Sequence, residues 1–301
     1  MPPRGRLTGF VAWATFSSMK AVIDLCLVSA LLPAAASPAA AAPQAAPPAA
    51  EQDKSRYHLF DPTPPALMRP MSPDRPDFTE SPYTVDAGHI QVEMSFLEFS
   101  RNGDFESLAI APINLKIGLL NNADLQFIFT PRVEQELPDG SQAEGFDDIQ
   151  FRLKMNVWGN DGGDTALGLM PFVKLPVGDE DLTNDHVEGG IIVPMAIQLP
   201  EDFSLGVMAE VDWVYDSEDD SYDMELVHTA ALGHGIVGDL GGYVEYIGIL
   251  TTDADNDYRA LLGTGLTFQL SANMILDFGI NLGLTGDADD LTIFGGATVR
   301  F

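Results

Sequence analysis

The chain has 301 residues and a formal net charge of −30, from 45 acidic and 15 basic residues. This balance excludes electrostatic binding to nucleic acid or to anionic lipid surfaces, because both need clustered Lys and Arg. Cys26 is the only cysteine, so an intrachain disulfide is excluded as well. The length suits one large barrel or two modest domains.

The first 80 residues are predicted to be a leader followed by a tether. Basic residues precede an apolar run that contains Asp24 and stops at Pro33, too short for a membrane helix but typical of a secretory signal peptide. We assign residues 1–42 to that signal region. Residues 43–80 are rich in Ala, Pro and then charge, so we expect a disordered periplasmic tether. Residues 81–301 are assigned to a barrel.

After residue 88, apolar residues recur at every second position, which predicts strands rather than helices. In the clearest run, Phe151, Leu153 and Met155 alternate with Arg152 and Lys154. Each run is close to the roughly 9–11 residues that a tilted strand needs to cross hydrocarbon. Twelve runs are predicted, with approximate bounds 89–100, 107–119, 123–136, 148–157, 165–177, 187–199, 203–215, 222–233, 239–251, 258–270, 273–284 and 291–301.

The last run, LTIFGGATVRF, predicts how the sheet ends. Its apolar and polar residues occupy opposite sides of an extended strand, and it finishes on the aromatic Phe301. An uncovered terminal strand would fray, and pairing with the first strand closes a barrel. An apolar outer face then belongs in a bilayer, and Phe301 is predicted to be the assembly signal.

Basic residues of the runs fall on the polar phase of their strands, except for Arg101, which lies in a turn. A charge that faces lipid near the midplane costs about 2–4 kcal/mol, so we expect these side chains inside the barrel, beside carboxylates. A soluble β-sandwich is the alternative, because alternation alone fits both. The predicted lumen-lining residues are Lys116, Arg132, Arg152, Lys154, Lys174, Glu210, Asp212, Glu245, Arg259, Asp277 and Arg300.

The connections between runs predict the orientation. Those after even-numbered runs are compact, whereas most acid lies in the connections after odd-numbered runs. Short turns are typical of the periplasmic side and longer loops of the outside. The acidic loops are expected to be solvated, although sites for divalent ions that bridge lipopolysaccharide phosphates stay open. The candidate carboxylates are Asp253, Asp255, Asp257, Asp287, Asp289 and Asp290.

Residues 74–93, DRPDFTESPYTVDAGHIQVE, resemble the entry to a family of outer-membrane barrels labelled as transporters of the meta-cleavage pathway of phenol degradation. The matching positions are Arg75, Pro76, Thr79, Thr84, Val85, Gly88 and Glu93. The resemblance extends across residues 74–301. It implies an outer-membrane barrel that passes small hydrophobic or aromatic compounds, and it supplies no catalytic residue.

We therefore predict an all-β protein: a closed antiparallel transmembrane up-and-down β-barrel of about twelve strands with a disordered N-terminal lead-in, in a Gram-negative outer membrane. The predicted function is porin-like transport of small solutes through a narrow charged lumen. A pore that the tether partly plugs is an alternative that the sequence leaves open. Expected partners are outer-membrane lipid, lipopolysaccharide, the barrel-assembly machinery and a small solute, with no nucleic acid, cofactor or metal.

Two other classes of function stay open. A structural or adhesive barrel would have its lumen packed shut. A lipid-modifying enzyme is less expected, because the histidines of the barrel region, His186, His228 and His234, lie in neither a nucleophile elbow nor an HExxH motif.

Overall fold

A computed structural model describes residues 53–217, 220–252 and 257–301. The chain divides into two units, residues 1–50 and 51–301. The predicted signal region with Cys26, the first ten residues of the tether, and Asp253 and Asp255 lie outside the described residues. Among the helices that the structure describes, none is long and apolar enough to cross a membrane.

Strands make up almost all the regular structure in these ranges, with two short 3-10 turns at Pro65–Leu67 and Pro200–Asp202. The strands are β1 (Ile90–Asn102), β2 (Phe105–Ile110), β3 (Ile113–Leu120), β4 (Ala123–Phe129), β5 (Arg132–Glu136), β6 (Gln142–Gly145), β7 (Ile149–Trp158), β8 (Thr165–Leu175), β9 (Glu188–Gln198), β10 (Ser204–Asp216), β11 (Ser221–Val237), β12 (Leu240–Thr251), β13 (Tyr258–Ser271), β14 (Met274–Gly283) and β15 (Leu291–Arg300).

The strands form one antiparallel sheet that closes on itself. Strand β1 pairs with β15 from Gln91 opposite Arg300 to Arg101 opposite Leu291. The pairs β2/β3, β4/β5 and β6/β7 are each one barrel strand with an interruption, so the fifteen described strands form a barrel of twelve strands. The predicted closed barrel of about twelve strands is confirmed. Closure leaves no free edge along β1 or β15, and this removes the risk of fraying and aggregation.

Side chains alternate between an apolar outer face and a largely polar inner face. On β7, Lys154 is 0% exposed, whereas Val157 on the opposite phase is 57% exposed. Large exposed hydrophobic side chains, such as Ile191, Trp213 and Phe278, occupy the predicted outward phase of other strands. A barrel that is apolar outside and polar inside is stable in a bilayer and not in water, so the outward assignment of the apolar phase is confirmed.

Two interruptions invert the predicted phase locally. Ala111 has φ +54° and precedes Pro112, and the resulting bulge moves Ala109, predicted to face outward, to the inner face opposite Glu98. The break at Pro131 has the same effect, because Arg132 pairs with Ile110 on the outer face. A period of two read across a one-residue bulge assigns every later side chain to the wrong face.

The two ends of the barrel differ. The turn end carries the compact connections 121–122, 159–164, 199–203, 238–239 and 272–273, together with the start of β1 and the end of β15. The loop end carries the other connections, of which 176–187 is the longest. The first barrel strand begins at Ile90, so residues 81–89 belong to the lead-in and not to the wall.

Candidate functional site

Residues 74–80 occupy the lumen. Their polar contacts reach seven strands spread around the wall: β1, β3, β7, β10, β11, β12 and β14. So short a stretch can touch strands all around a closed ring only from inside it. We call residues 69–89 the plug segment. Residues 69–80 were expected to belong to a disordered tether and residues 81–89 to the barrel, and fixed hydrogen bonds to the wall hold both stretches instead.

One side of the plug segment is held by charge. The Asp74 carboxylate pairs with the ammonium groups of Lys116 and Lys154, with 2.6 Å between Lys154 Nζ and Asp74 Oδ1. Lys116 also pairs with Glu93, whose carboxylate accepts the backbone N–H of residue 74 at 3.0 Å. These groups are buried, and buried charges are tolerated only when they are paired and hydrogen-bonded.

A second carboxylate of the plug segment extends the same contact, because Glu80 pairs with Arg152 on β7. We call Glu93, Lys116, Arg152 and Lys154 the lysine wall. Lys154 lies four residues from the turn end of β7. With about 3.3 Å per residue and a strand tilt of about 40°, Asp74 is held roughly 10 Å inside the barrel.

The opposite side of the plug segment meets what we call the carboxylate wall: Thr229, Tyr243, Glu245 and Asp277. The Arg75 guanidinium donates to Asp277 Oδ1 at 2.6 Å, and it also donates to Ser95 Oγ on β1 at 2.6 Å. Arg75 fits here because Gly296 carries no side chain, and a Cβ at that position would lie 2.8 Å from Arg75 Nη2.

Glu245 accepts three hydrogen bonds from neutral donors. The backbone N–H groups of Phe78 and Thr79 donate at 2.8 and 2.7 Å, and Thr79 Oγ1 donates at 2.6 Å. Thr79 Oγ1 also lies 2.6 Å from Thr229 Oγ1, and Tyr243 donates to the Pro76 carbonyl at 3.3 Å. The carboxylate is therefore satisfied, but by hydrogen bonds rather than by a cation.

The segment returns to β1 along the inside of the turn end. Asn156 donates to the Pro82 carbonyl at 2.9 Å, and Asp124 accepts the Val85 N–H at 2.9 Å. Gly118 is required beside this path, because a Cβ there would lie 2.7 Å from the carbonyl carbon of Asp86. The return limb is thus hydrogen-bonded to the same wall that the lysines belong to.

The rim of the turn end is also charged. Arg69 donates to Asp161 Oδ1 and to Asn121 Oδ1, each at 3.0 Å, and Lys54 pairs with Asp161. Partial burial raises the pKa of Asp161, but hydrogen bonds from Lys54 and Asn121 outweigh burial and hold this pKa below its usual value. Arg300 donates to the Arg69 carbonyl at 2.9 Å.

The end of the chain joins this rim. The Phe301 N–H donates to the Ile90 carbonyl at 2.8 Å, and His89 Nδ1 lies 2.9 Å from the Phe301 carbonyl oxygen. The other ring nitrogen of His89 lies 2.8 Å from the Thr63 carbonyl oxygen. The Phe301 side chain is 70% exposed.

Part of the inner wall is apolar. The buried cluster of Met170, Ile192, Met208 and Val227 spans the inner face of β8 to β11, and Phe172 and Ile249 pack against it. The cluster touches the plug segment, because the Glu80 N–H lies 3.5 Å from Met208 Sδ. A water-filled pore is usually polar inside, so this patch is a specific feature of the lumen.

The predicted charges fall into three groups. Six contact the plug segment: Lys116, Arg152, Lys154, Glu245, Asp277 and Arg300.

Four others lie nearer the loop end. Lys174 pairs with Glu188, and Arg259 pairs with Glu225. Glu210 and Asp212 follow Met208 on the same face of β10.

Arg132 departs from the prediction. Its side chain is 48% exposed on the outer face and pairs with Glu134 and Glu144.

Sequence reasoning missed the plug residues that bind these charges: Asp74, Arg75, Thr79 and Glu80. Their partners on the barrel wall lie between 19 and 202 residues away, and no local sequence pattern indicates such pairs. The resemblance was the one available indication, since Arg75 and Thr79 were among its matching positions.

No group of three or more His, Cys, Asp or Glu side chains in the described ranges is placed to hold a metal ion. This includes Asp287, Asp289 and Asp290 of the last loop.

A closed, outwardly apolar barrel of twelve antiparallel strands with a segment of its own chain inside defines an outer-membrane β-barrel protein. The profile of the family described as "Putative MetA-pathway of phenol degradation" matches residues 73–301, so the chain belongs to that family. The match begins in the plug segment, one residue before Asp74. The resemblance predicted from the sequence is confirmed.

Several solved structures are similar to this chain. An outer membrane channel from Pseudomonas putida F1 is similar at a TM-score of 0.56 and 12% identity, over 76% of this chain and 100% of that chain. The NanC porin gives a TM-score of 0.49 and 10% identity, over 70% and 98% of the two chains. The β domain of the Bordetella autotransporter BrkA gives 0.43 and 13%, over 71% and 98%. The search of curated proteins found no match.

Proposed function

We propose that this protein is an outer-membrane channel for small hydrophobic solutes and that the structure is its closed state. The observation that carries the proposal is the inward apolar patch around Met170 and Ile192, which contacts the plug segment at Glu80 inside the bore. Apolar side chains inside a barrel offer a solute a surface that water does not compete for. The link of the family to phenol degradation supports this class of solute, and the similarity to the Pseudomonas outer membrane channel supports transport.

Ten of the eleven predicted charges line the lumen in this proposal, Arg132 being the exception. Glu210 and Asp212 then lie between the apolar patch and the loop end, where a solute enters. The turn end faces the periplasm, as compact turns do in such barrels. The barrel-assembly machinery recognises Phe301. Lipopolysaccharide surrounds the loop end. The protein is not an enzyme in this proposal, since the described wall assembles charges for binding a plug rather than for proton transfer.

Uptake of the apolar dye N-phenyl-1-naphthylamine by intact cells tests the proposal. Cells that make the protein should take up the dye faster than cells that lack it, because lipopolysaccharide excludes the dye from the bare outer membrane. Met170→Gln places an amide in the apolar patch at a transfer cost of about 1–3 kcal/mol and should slow uptake several-fold. Met170→Leu keeps the patch apolar at similar volume and should retain most of the uptake.

The polar anion nitrocefin serves as the control solute, and its entry should not depend on Met170. Dye uptake that is the same with and without the protein overturns the channel proposal. That result would favour the second candidate, a structural barrel without transport, which the many bonds between the plug segment and the wall already favour.

A further inference from the structure

A cavity of about 290 Å³ opens at the turn end beside β11 to β14. Gly241, Thr267, Gln269 and Ile275 are among its lining residues. Gly241 pairs with Thr267, and Gln269 pairs with Ile275, so these side chains share one face of the sheet.

That face is the inner one. Ile275 lies two residues before Asp277, which binds Arg75, and Gly241 lies two residues before Tyr243, which binds the Pro76 carbonyl. Residues two apart on a strand point to the same side. The cavity is therefore a part of the lumen that the plug segment leaves free.

The plug segment caps this cavity from above. Each step of two residues along a strand covers about 6–7 Å, so Tyr243 and Asp277 stand one step further into the barrel than the lining of the cavity. Glu245 stands one step beyond Tyr243. Residues 75–79 bond to these three side chains and therefore lie between the cavity and the rest of the lumen.

The two sides of the plug segment differ in how they are held. Asp74 and Glu80 form ion pairs with three cations of the lysine wall. On the carboxylate wall, the ion pair of Arg75 with Asp277 stands beside a cluster of bonds from neutral groups to Glu245. Hydrogen bonds from backbone N–H and hydroxyl groups can be exchanged for hydrogen bonds to water at little net cost. Breaking the ion pair of a buried lysine costs much more, because it leaves a buried charge without a partner.

We propose that the carboxylate wall is the gate of the channel. Residues 75–79 leave Tyr243, Glu245 and Asp277, at the cost of one ion pair, that of the partly accessible Arg75 with Asp277, while Asp74 and Glu80 remain on the lysine wall as the pivot. The movement joins the cavity at the turn end to the lumen beneath the apolar patch, and the solute leaves along β12 to β14. This inference rests on the proposed channel function and assigns its gate and its exit path.

A reversible disulfide tests the gate. Thr79 Oγ1 and Thr229 Oγ1 are 2.6 Å apart, so Thr79→Cys with Thr229→Cys, in a Cys26→Ser background, places two thiols for cross-linking. Copper–phenanthroline oxidation should abolish dye uptake, and dithiothreitol should restore it. The two single-cysteine variants are the matched controls, and the oxidant should not change the uptake that each of them shows before oxidation.

The outcomes separate the gate from the function. Undiminished uptake by the oxidised, cross-linked protein overturns the gate while the channel proposal stands. Uptake no faster than in cells lacking the protein, for the unaltered chain as well as for the reduced variant, overturns the channel proposal itself.

A second variant opens the gate instead of locking it. Glu245→Gln replaces one acceptor oxygen by an N–H₂ group that faces the donors of Phe78 and Thr79, so docking of the plug segment is weakened. In planar bilayers this variant should open more often than the unaltered protein. Glu144→Gln makes the same chemical change on the exposed outer face and should leave the open fraction unchanged; equal opening by the two variants would contradict the gate.

Discussion

The two walls that hold the plug segment solve the same problem in different ways. The lysine wall offers cations to a plug carboxylate, Asp74, whereas the carboxylate wall offers Glu245 to neutral donors of the plug. The first arrangement is costly to break and the second is cheap to exchange for water. The comparison teaches that a plug can be bound tightly on one side and remain releasable on the other.

The largest expected effect is that of Asp74→Asn. Lys116 and Lys154 lose the carboxylate that they share, and breaking such buried pairs costs about 3–5 kcal/mol. Hydrogen–deuterium exchange of the amides in residues 74–85 should accelerate accordingly. Adding Lys154→Met should recover part of the protection, because it removes the uncompensated charge. Exchange that stays as slow as in the unaltered protein would show that the lysine wall is not the pivot.

Arg75→Gln should have a smaller effect. It removes the forked contact with Asp277 and Ser95, where a charged hydrogen bond contributes about 2 kcal/mol, reduced here because Arg75 is partly accessible to water. Exchange should accelerate at residues 75–79 more than at residues 82–85. Arg75→Lys keeps the charge but not the fork, so it should recover only part of the loss. Uniform acceleration across the whole plug segment would argue against two independent walls.

Thr79→Val should cost about 1 kcal/mol, because it removes one hydroxyl from the carboxylate wall and leaves the backbone bonds to Glu245 in place. The same exchange measurement should show a slight acceleration confined to residues 77–80. Thr79→Ser keeps the hydroxyl and is the control. A loss as large as that of Asp74→Asn would reverse the order of the two walls.

The smallest effect is expected for Arg132→Gln. Its ion pairs with Glu134 and Glu144 are exposed on the outer face, and such pairs contribute little. Neither the exchange of the plug segment nor the heat-dependent gel mobility of the folded barrel should change. A measurable loss of plug protection would mean that Arg132 reaches the lumen after all.

The barrel itself was predictable because its physics is local. Alternation of Leu153 with Lys154 assigns a face to each residue, and twelve such runs followed by a terminal aromatic imply closure. The prediction failed at Ala111 and before Arg132, where the chain contains a bulge. The extra residue of a bulge reverses which residues face inward, and the alternation in the sequence does not show this reversal.

The sequence left a partial plug by the tether as an open alternative, but it did not indicate which residues form the plug segment. A stretch rich in proline and charge predicts a tether because it has no periodicity and cannot bury a core by itself. Asp74 pairs with Lys116, which is 42 residues away, and Glu245 accepts the N–H of Phe78, which is 167 residues away; only the closed barrel brings these groups together. The chain is folded there because the wall supplies the partners that its own sequence lacks.

Arg75 has a consequence for how the molecule matures. Its guanidinium holds Ser95 on β1 and Asp277 on β14, and β15 lies between those two strands. Both bonds exist together only after the last strand has met the first. The full set of bonds that holds the plug segment therefore requires a closed barrel, so it cannot be completed before β15 has paired with β1.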